Sequence, residues 1–424
     1  MAPTDVIRQV VRRPPWHLAR PDQLLRAPLH PVDWLRDLYC TSVSYFLATP
    51  ADGSASTDAR DVYLGLRQAP CRKTQRLLIG QELRGFDGGG TPQTAFDQPL
   101  AGLAPRPALL EVDLKDFWSY FFVQDESEEE ANGQPRPGRT ASGGDGGWRY
   151  DHDETLFGVL EKHLTDQSTA GKKRVVGFCY HVGNPFNSRG TASDRQFTKP
   201  DGSLRALTAA DLAQLSDTTT PAGQRWHRGL DRVAEIIREV TRRTPDVTVL
   251  FRPLHESNQD FFWWGRWGQP AFHALWQHTF EYLTRTQGLH NVLWVYSATT
   301  KKDPENPLDD FPVHYPGDDL VDVVGMDVYS DTLENVDNWY GALHGLGKPV
   351  ALTEYGPTRD EKGNENGTDQ SNSAVITAIR DRYRDLVWAT CWYSDTPGTG
   401  NRFQINEKAD PAALLKDDWS ITIP

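Results

Sequence analysis

Two glutamates stand at the ends of apolar runs. The first lies in Leu250-Phe251-Arg252-Pro253-Leu254-His255-Glu256-Ser257-Asn258, where an apolar stretch ends in Arg, His, Glu and Asn. Four hydrogen-bonding side chains crowded at the end of such a run are costly unless they are used. Phe261-Phe262-Trp263-Trp264-Gly265 follows at once and sets aromatic surface beside the carboxylate. The second glutamate lies in Lys348-Pro349-Val350-Ala351-Leu352-Thr353-Glu354-Tyr355-Gly356. Two carboxyl groups are what glycosidic bond cleavage needs: one protonates the leaving oxygen, and the other attacks the anomeric carbon or activates water. A gap of roughly 5–5.5 Å between them gives retention, and roughly 6.5–9.5 Å gives inversion. A lone Glu after a strand is usually a loop or cap residue. Two at matching positions, one flanked by His, Asn and Trp-Trp, are much less easily explained that way.

A scaffold must bring the pair together. Eight apolar, β-branched runs recur along the chain, at residues 76–81, 108–113, 174–180, 247–252, 291–296, 321–327, 349–354 and 386–392. Helical patterns separate them. Residues 224–243 carry Leu230, Val233, Ile236, Ile237 and Val240 on one face; Pro270 opens a second helix that Gly288 closes; residues 375–383 form a third. Alternating strands and helices predict an α/β fold, and eight strands predict a (β/α)8 TIM barrel. The glutamates are 98 positions apart (354 − 256), with runs five and six between them. They therefore close strands four and seven and face each other across the barrel mouth, where barrel active sites lie. Long loops follow strands two and three: residues 124–147, acidic and then rich in Pro, Gly and Ser, and residues 184–223. Residues 1–70 fall outside the alternation. They read as an N-terminal extension packed on or preceding a catalytic domain at 71–424, with a helix candidate at 34–39.

Composition narrows the ligand. The 424 residues carry a formal net charge of −13 and include 14 Trp, 14 Tyr and 17 Phe. So acidic a chain repels phosphate backbones and anionic lipid, which argues against nucleic acid and membrane partners. Aromatic rings suit the apolar faces of a neutral saccharide. No run of 18 apolar residues exists, so no membrane span is expected. Residues 1–15 carry Arg8, Arg12 and Arg13 without an apolar segment, and do not read as a signal peptide. Cys179 and Cys391 lie in apolar runs and read as buried thiols, whereas Cys40 and Cys71 could pair if the protein is exported. No cysteine–histidine cluster suggests a metal, and no cofactor is expected.

The motifs are also specific as a set. Phe251 to Asn258, followed by Phe262-Trp263-Trp264-Gly265, resembles the acid/base signature of glycoside hydrolase family 26, the β-mannanase-like family of retaining barrel glycanases. Tyr180-His181 with Asn184-Pro185, Leu293 to Ser297, Tyr315 to Asp319, Val324 to Tyr329 and Leu352 to Pro357 resemble its third, fifth, sixth and seventh strand motifs. The resemblance covers residues 174–392, is weak over 76–113 and is absent before that. It implies that Glu256 is the acid/base and Glu354 the nucleophile. Tyr329 would hydrogen-bond the nucleophile, and His181 and Arg252 would line the −1 subsite and orient the carboxylates. Asp327 would fix this network and Trp392 would floor the −1 sugar. His255, Asn258, Phe261 and Trp264 complete the expected substrate-binding set. The implied activity is double displacement on β-1,4-mannosidic linkages of mannan, glucomannan or galactomannan, by a monomer that is secreted or periplasmic; a cytoplasmic location stays open. Ser257, Gln259 and Phe261 depart from the usual Met, Gly and Trp of the signature. Other β-glycans therefore stay open as substrates: mixed-linkage β-glucan, β-1,3-xylan or a microbial exopolysaccharide, with exo action if the long loops close one end. A carbohydrate-binding barrel without turnover is the alternative of another class, and the intact glutamate pair speaks against it.

Overall fold

The computed structural model describes residues 48–83, 91–117, 145–187, 190–199, 201–300, 314–334, 336–358, 370–393 and 403–424. Its centre is a closed ring of eight parallel strands: β1 Leu77–Leu83, β2 Leu109–Asp113, β3 Val175–Tyr180, β4 Thr248–Pro253, β5 Val292–Thr299, β6 Val323–Tyr329, β7 Val350–Gly356 and β8 Leu386–Cys391. Each pairs with the next, and β8 returns to β1 through Leu78↔Trp388 and Gln81↔Cys391. All eight expected runs are strands. The barrel was legible because strands covered on both faces are continuously apolar.

Side chains alternate in and out of the ring with a period of two, so every second residue shares one face. Followed upward, those on the inner face change character. Leu109 leads to Glu111 and Asp113, Leu250 to Arg252, Val295 to Ser297, and Val323 to Asp327. The lower layer is apolar and packs against a helix, α1 (Thr57–Gln68), through Val62, Tyr63 and Leu66. Ser56 caps that helix by accepting from the Ala59 amide. So α1 closes the floor of the barrel, a role not expected from the sequence. The upper layer is polar and buried. Gly177 makes room for it: a Cβ there would lie 3.0 Å from Glu111 Cγ.

The outer helices follow their strands. They include α2 (Asp145–Thr169) after β2, α3 (Pro221–Arg243) after β3, α4 (Ala271–Glu281) after β4, α5 (Asp337–His344) after β6 and α6 (Asn372–Asp381) after β7. Helix α3 begins three residues before its apolar pattern, because Thr220 accepts from the Gly223 amide and Pro221 fits the first turn. The expected loop at 124–147 lies outside the described residues up to 144, and its last three residues already belong to α2. The 184–223 stretch holds a short antiparallel hairpin, Gln196–Thr198 with Leu204–Ala206. The helix candidate at 34–39 and Cys40 lie outside the described residues. Cys71 is disulfide-bonded, and Cys179 and Cys391 are free and buried. Among the described residues, no helix is long and apolar enough to cross a membrane.

Candidate active site

Beyond β4 the backbone turns through the left-handed region twice, at Leu254 (φ 50°) and at Glu256 itself (φ 51°). Each such non-glycine residue costs about 1–2 kcal/mol. Hydrogen bonds to neighbouring segments hold the turn. The Glu256 amide donates to the Ser297 carbonyl at 3.0 Å. The Asn258 side chain donates to the Thr299 carbonyl at 2.8 Å and accepts from the Thr299 amide at 3.0 Å. Trp264 Nε1 donates to the His255 carbonyl at 2.8 Å. The turn that carries Glu256 is thereby stitched to the end of β5, and Glu256 keeps only 8% of its surface exposed.

Glu354 is aimed by a different device. The pairing of β7 with β6 slips between Leu352↔Met326 and Glu354↔Asp327, a bulge that re-directs the strand end. Tyr329 Oη donates to Glu354 Oε2 at 2.6 Å, and Arg252 Nη2 lies 2.7 Å from Oε1. Carboxylate oxygens of Glu256, Asp327 and Glu354 all lie within 4.8 Å of one another. So close an approach is nearer to the roughly 5–5.5 Å of a retaining pair than to the roughly 6.5–9.5 Å of an inverting one.

Arg252 ties the site to the barrel interior. Its Nε and Nη2 donate to Glu111 Oε1 at 3.0 and 2.7 Å, and Nη1 reaches Asp327 Oδ2 at 3.4 Å. One guanidinium therefore serves Glu111, Asp327 and Glu354. Burial pushes the Asp327 carboxyl well above the usual range, and the Glu354 charge adds to it. Thr353 and Ser297 hydroxyls donate to its two oxygens at 2.6 and 3.1 Å. Burial likewise raises Glu111 against the pull of Arg252. Behind it Glu82, fully buried, is pushed up further by burial and by the Glu111 charge.

A second chain of polar groups runs along β2 and β3. His181 Nδ1 donates to Asp113 Oδ2 at 2.6 Å, because a carboxylate only accepts. Lys115 Nζ reaches the same oxygen at 2.8 Å. Burial pushes the Asp113 carboxyl up, but Lys115 and His181 together hold it below the usual aspartate range. The Nε2 atoms of His181 and His255 meet at 3.1 Å. Burial, with the charges of His181 and Arg252, drives the His255 pKa far down and keeps that ring neutral. Among the described residues three groups bring metal-ligating atoms together, and each holds a member already paired with a cation: Asp113/Cys179/His181 with Lys115, and Glu256/Asp327/Glu354 and Glu82/Glu111/Cys179 with Arg252.

Nine residues beyond the glutamate pair were expected to bind substrate. His181, Phe261 and Tyr329 are partly exposed, and Trp392 retains 6% of its surface. Trp392 stacks on Tyr393 at 4.8 Å and meets His181 edge-on at 6.2 Å. Arg252 and Asp327 are buried beneath the carboxylates and orient them. Three more of the nine are buried. Trp264 has no exposed surface, so it supports the turn from behind. Asn258 is buried with both ends of its amide bound to Thr299. His255 is 1% exposed and faces His181. The aromatic surface that does emerge beside Trp264 is Phe262, stacked on it at 4.5 Å and 18° and lying 5.1 Å from the His181 ring. Glu82, Glu111, Asp113 and Phe262 were missed. Glu111 and Asp113 had a signal, since alternate acidic residues inside an apolar strand must be paired or used.

Comparison with known proteins places the chain in a family. A sequence profile of glycosyl hydrolase family 26 matches residues 180–423. A mannan endo-1,4-beta-mannosidase A and B of Caldalkalibacillus mannanilyticus is 32% identical over 384 residues, covering 88% of this chain and 62% of that protein. A mannan endo-1,4-beta-mannosidase of Bacillus subtilis is 31% identical over 223 residues, covering 51% and 56%. The chain thus spans about three fifths of the length of these relatives. The solved Bacillus subtilis mannanase superposes with a TM-score of 0.63 at 22% identity, covering 89% of this chain and 95% of that one, which establishes the shared barrel. The profile match spans more than half of the chain and contains both glutamates, so the chain belongs to glycosyl hydrolase family 26.

Proposed function

We propose that this protein is a retaining, endo-acting glycoside hydrolase that cleaves β-1,4-mannosidic linkages in mannan, glucomannan or galactomannan. The approach of Glu256 and Glu354 carboxylate oxygens to within 4.8 Å at the ends of β4 and β7 carries this reading. Glu256 protonates the glycosidic oxygen while Glu354 attacks the anomeric carbon. Water then resolves the glycosyl-enzyme, with Glu256 acting as base. Arg252 and Tyr329 fix Glu354 in its attacking position. His181, Phe261, Phe262 and Trp392 supply the contacts to the sugar rings. The ligand is a neutral polysaccharide, and the enzyme acts as a secreted or periplasmic monomer.

Mannan is favoured because the mannosidase relatives align over the longest stretches. A relative named endoglucanase H, from Acetivibrio thermocellus, is 26% identical over 203 residues and supports β-glucan as the second substrate. The test is hydrolysis of galactomannan, glucomannan, mixed-linkage glucan and β-1,3-xylan by the wild type, Glu256→Ala and Glu354→Ala, with product sizing and anomer detection by NMR. Both variants should lose at least about 10³-fold in kcat, and the first product should keep the β configuration. Inverted product would sink the double displacement, and a near-wild-type variant would sink its assigned role. A folded wild type that cuts none of the four polymers would remove this substrate class.

A further inference from the structure

Lys408 is buried in an unusual way. Only 2% of its surface is exposed, and no carboxylate among the described residues forms an ion pair with it. The hydrogen-bond partner of its Nζ among them is the thiol of Cys391, at 3.0 Å, with the Tyr355 ring face 4.3 Å away. A buried ammonium is tolerated when it is paired with an anion, and a ring face offsets only part of its desolvation. Cys391 has no exposed surface, and its thiol also contacts the Phe403 carbonyl at 2.8 Å. Burial lowers the lysine pKa and raises that of the thiol, which favours the uncharged amine beside the uncharged thiol. The disulfide at Cys71 is of the kind that persists in oxidising compartments. An amine and a thiol thus face each other at 3.0 Å in a buried site.

We propose that Cys391 and Lys408 are a covalent modification site, joined by dioxygen into a sulfur–oxygen–nitrogen bridge. In the balanced step, one thiol, one primary amine and one dioxygen molecule give one Cys–S–O–NH–Lys bridge and one water. The S–H bond, one N–H bond and the O–O bond break, and S–O and O–N bonds form. Sulfur and nitrogen each lose two electrons, and dioxygen takes up all four. One of its oxygens stays in the bridge and the other leaves as water with both released protons. The product carries no charge, so it removes the cost of the buried lysine. Its place in the fold gives it a consequence. Cys391 directly precedes Trp392, and Lys408 packs on Tyr355, which directly follows Glu354. The bridge would pin the segment after residue 403 to β8, behind the floor of the site. None of this depends on which glycan the enzyme cleaves.

The test is peptide mapping of the full chain purified in air, digested with trypsin without reductant after alkylation in denaturant. The bridge predicts a cross-linked species joining residues 385–402 to 403–416, uncut at Lys408. Its mass should equal the sum of both peptides plus one oxygen less two hydrogens. Dithiothreitol should release it, and Cys391→Ser and Lys408→Gln should lack it; both variants keep the cysteine pair that includes Cys71, so its reduction is told apart. Full alkylation of Cys391 with normal cleavage at Lys408, in protein exposed to oxygen or peroxide, would overturn the proposal. So would finding Cys391 only in a disulfide or as a sulfinic acid. The decisive measurement is on the wild type, so misfolding of a variant leaves it intact.

Discussion

Asn258→Ala tests whether Glu256, the proposed acid/base, is held by the clasp onto Thr299 rather than by β4 alone. The substitution removes one donor and one acceptor that together satisfy the carbonyl and amide of Thr299. Both groups belong to a buried residue, 3% exposed, at the end of β5. Leaving a buried polar group unsatisfied costs about 1–3 kcal/mol, so the pair costs about 2–6 kcal/mol unless water enters. The same clasp opposes the strain stored two residues earlier, about 1–2 kcal/mol in the left-handed Glu256. Once released, that residue can relax toward ordinary backbone and carry its carboxyl away from Glu354. A displacement of about 1 Å at a reacting group can cost about 10²-fold in rate. The expected result is a drop in Tm of several degrees together with a fall of about 10²-fold in kcat, and little change in KM. The assay is steady-state hydrolysis of the best polymer at room temperature, with circular dichroism confirming that the variant stays folded. If kcat stays within about twofold of wild type while Tm falls, the clasp supports the fold but does not place Glu256.

Three further outcomes follow from the same network. Glu82→Gln should be more stable than wild type at neutral pH and equal to it near about pH 4. Burial raises the Glu82 pKa in the folded state, so wild-type stability is fully present below the ordinary glutamate range and falls, by up to about 1.4 kcal/mol per pH unit, as pH rises through it. A Tm difference independent of pH would show that Glu82 is not protonated in the fold. Asp113→Asn should behave in the opposite sense. Its folded pKa is depressed by Lys115 and His181 against burial, so its contribution is complete above the ordinary aspartate range and is lost as pH falls. The wild-type advantage in thermal melts should therefore shrink on acidification, and a gap that widens toward low pH would contradict the pairing. Phe262→Ala should weaken kcat/KM about tenfold through lost ring contact, whereas Trp264→Leu should cost about 3 kcal/mol in urea unfolding with KM unchanged. The reverse pattern would restore Trp264 as the residue that meets the sugar.

The sequence was informative wherever a physical cost had to be offset locally. Strands β1 to β8 were readable because residues buried on both faces leave unbroken apolar runs. Glu256 and Glu354 were readable because each carboxylate ends such a run. The third dimension was not readable in the same way. Phe261, Phe262, Trp263 and Trp264 are four consecutive aromatics, and nothing in their order tells that Phe262 emerges while Trp264 has its indole under His255. That distinction depends on the left-handed turns at Leu254 and Glu256, which non-glycine residues do not announce. Asn258 entered the expected substrate-binding set with the signature around Glu256, and nothing in the sequence tells that both ends of its amide are bound to Thr299. The role of α1 was hidden for a related reason: a helix that plugs a barrel floor shows an ordinary apolar face, and its partners lie on many different strands.

The polar upper layer explains why so many acidic residues accompany a reaction that needs two. Glu82, Glu111, Asp327 and Glu354 surround Arg252, the only cation to which Glu111, Asp327 and Glu354 are paired among the described residues. Four full charges around one guanidinium would be unstable in a dry interior, so protons must be retained on the members furthest from it. Burial raises Glu82, Glu111 and Asp327 alike, so the tendency to hold a proton falls on carboxyl groups other than the proposed nucleophile. Glu354 instead receives a guanidinium nitrogen at 2.7 Å on one oxygen and the Tyr329 hydroxyl at 2.6 Å on the other, so both of its oxygens are held in place. The surplus carboxyl groups thus act as a proton-holding frame. They let a single arginine be fixed on several sides while it also pairs with Glu354, the carboxylate proposed to attack.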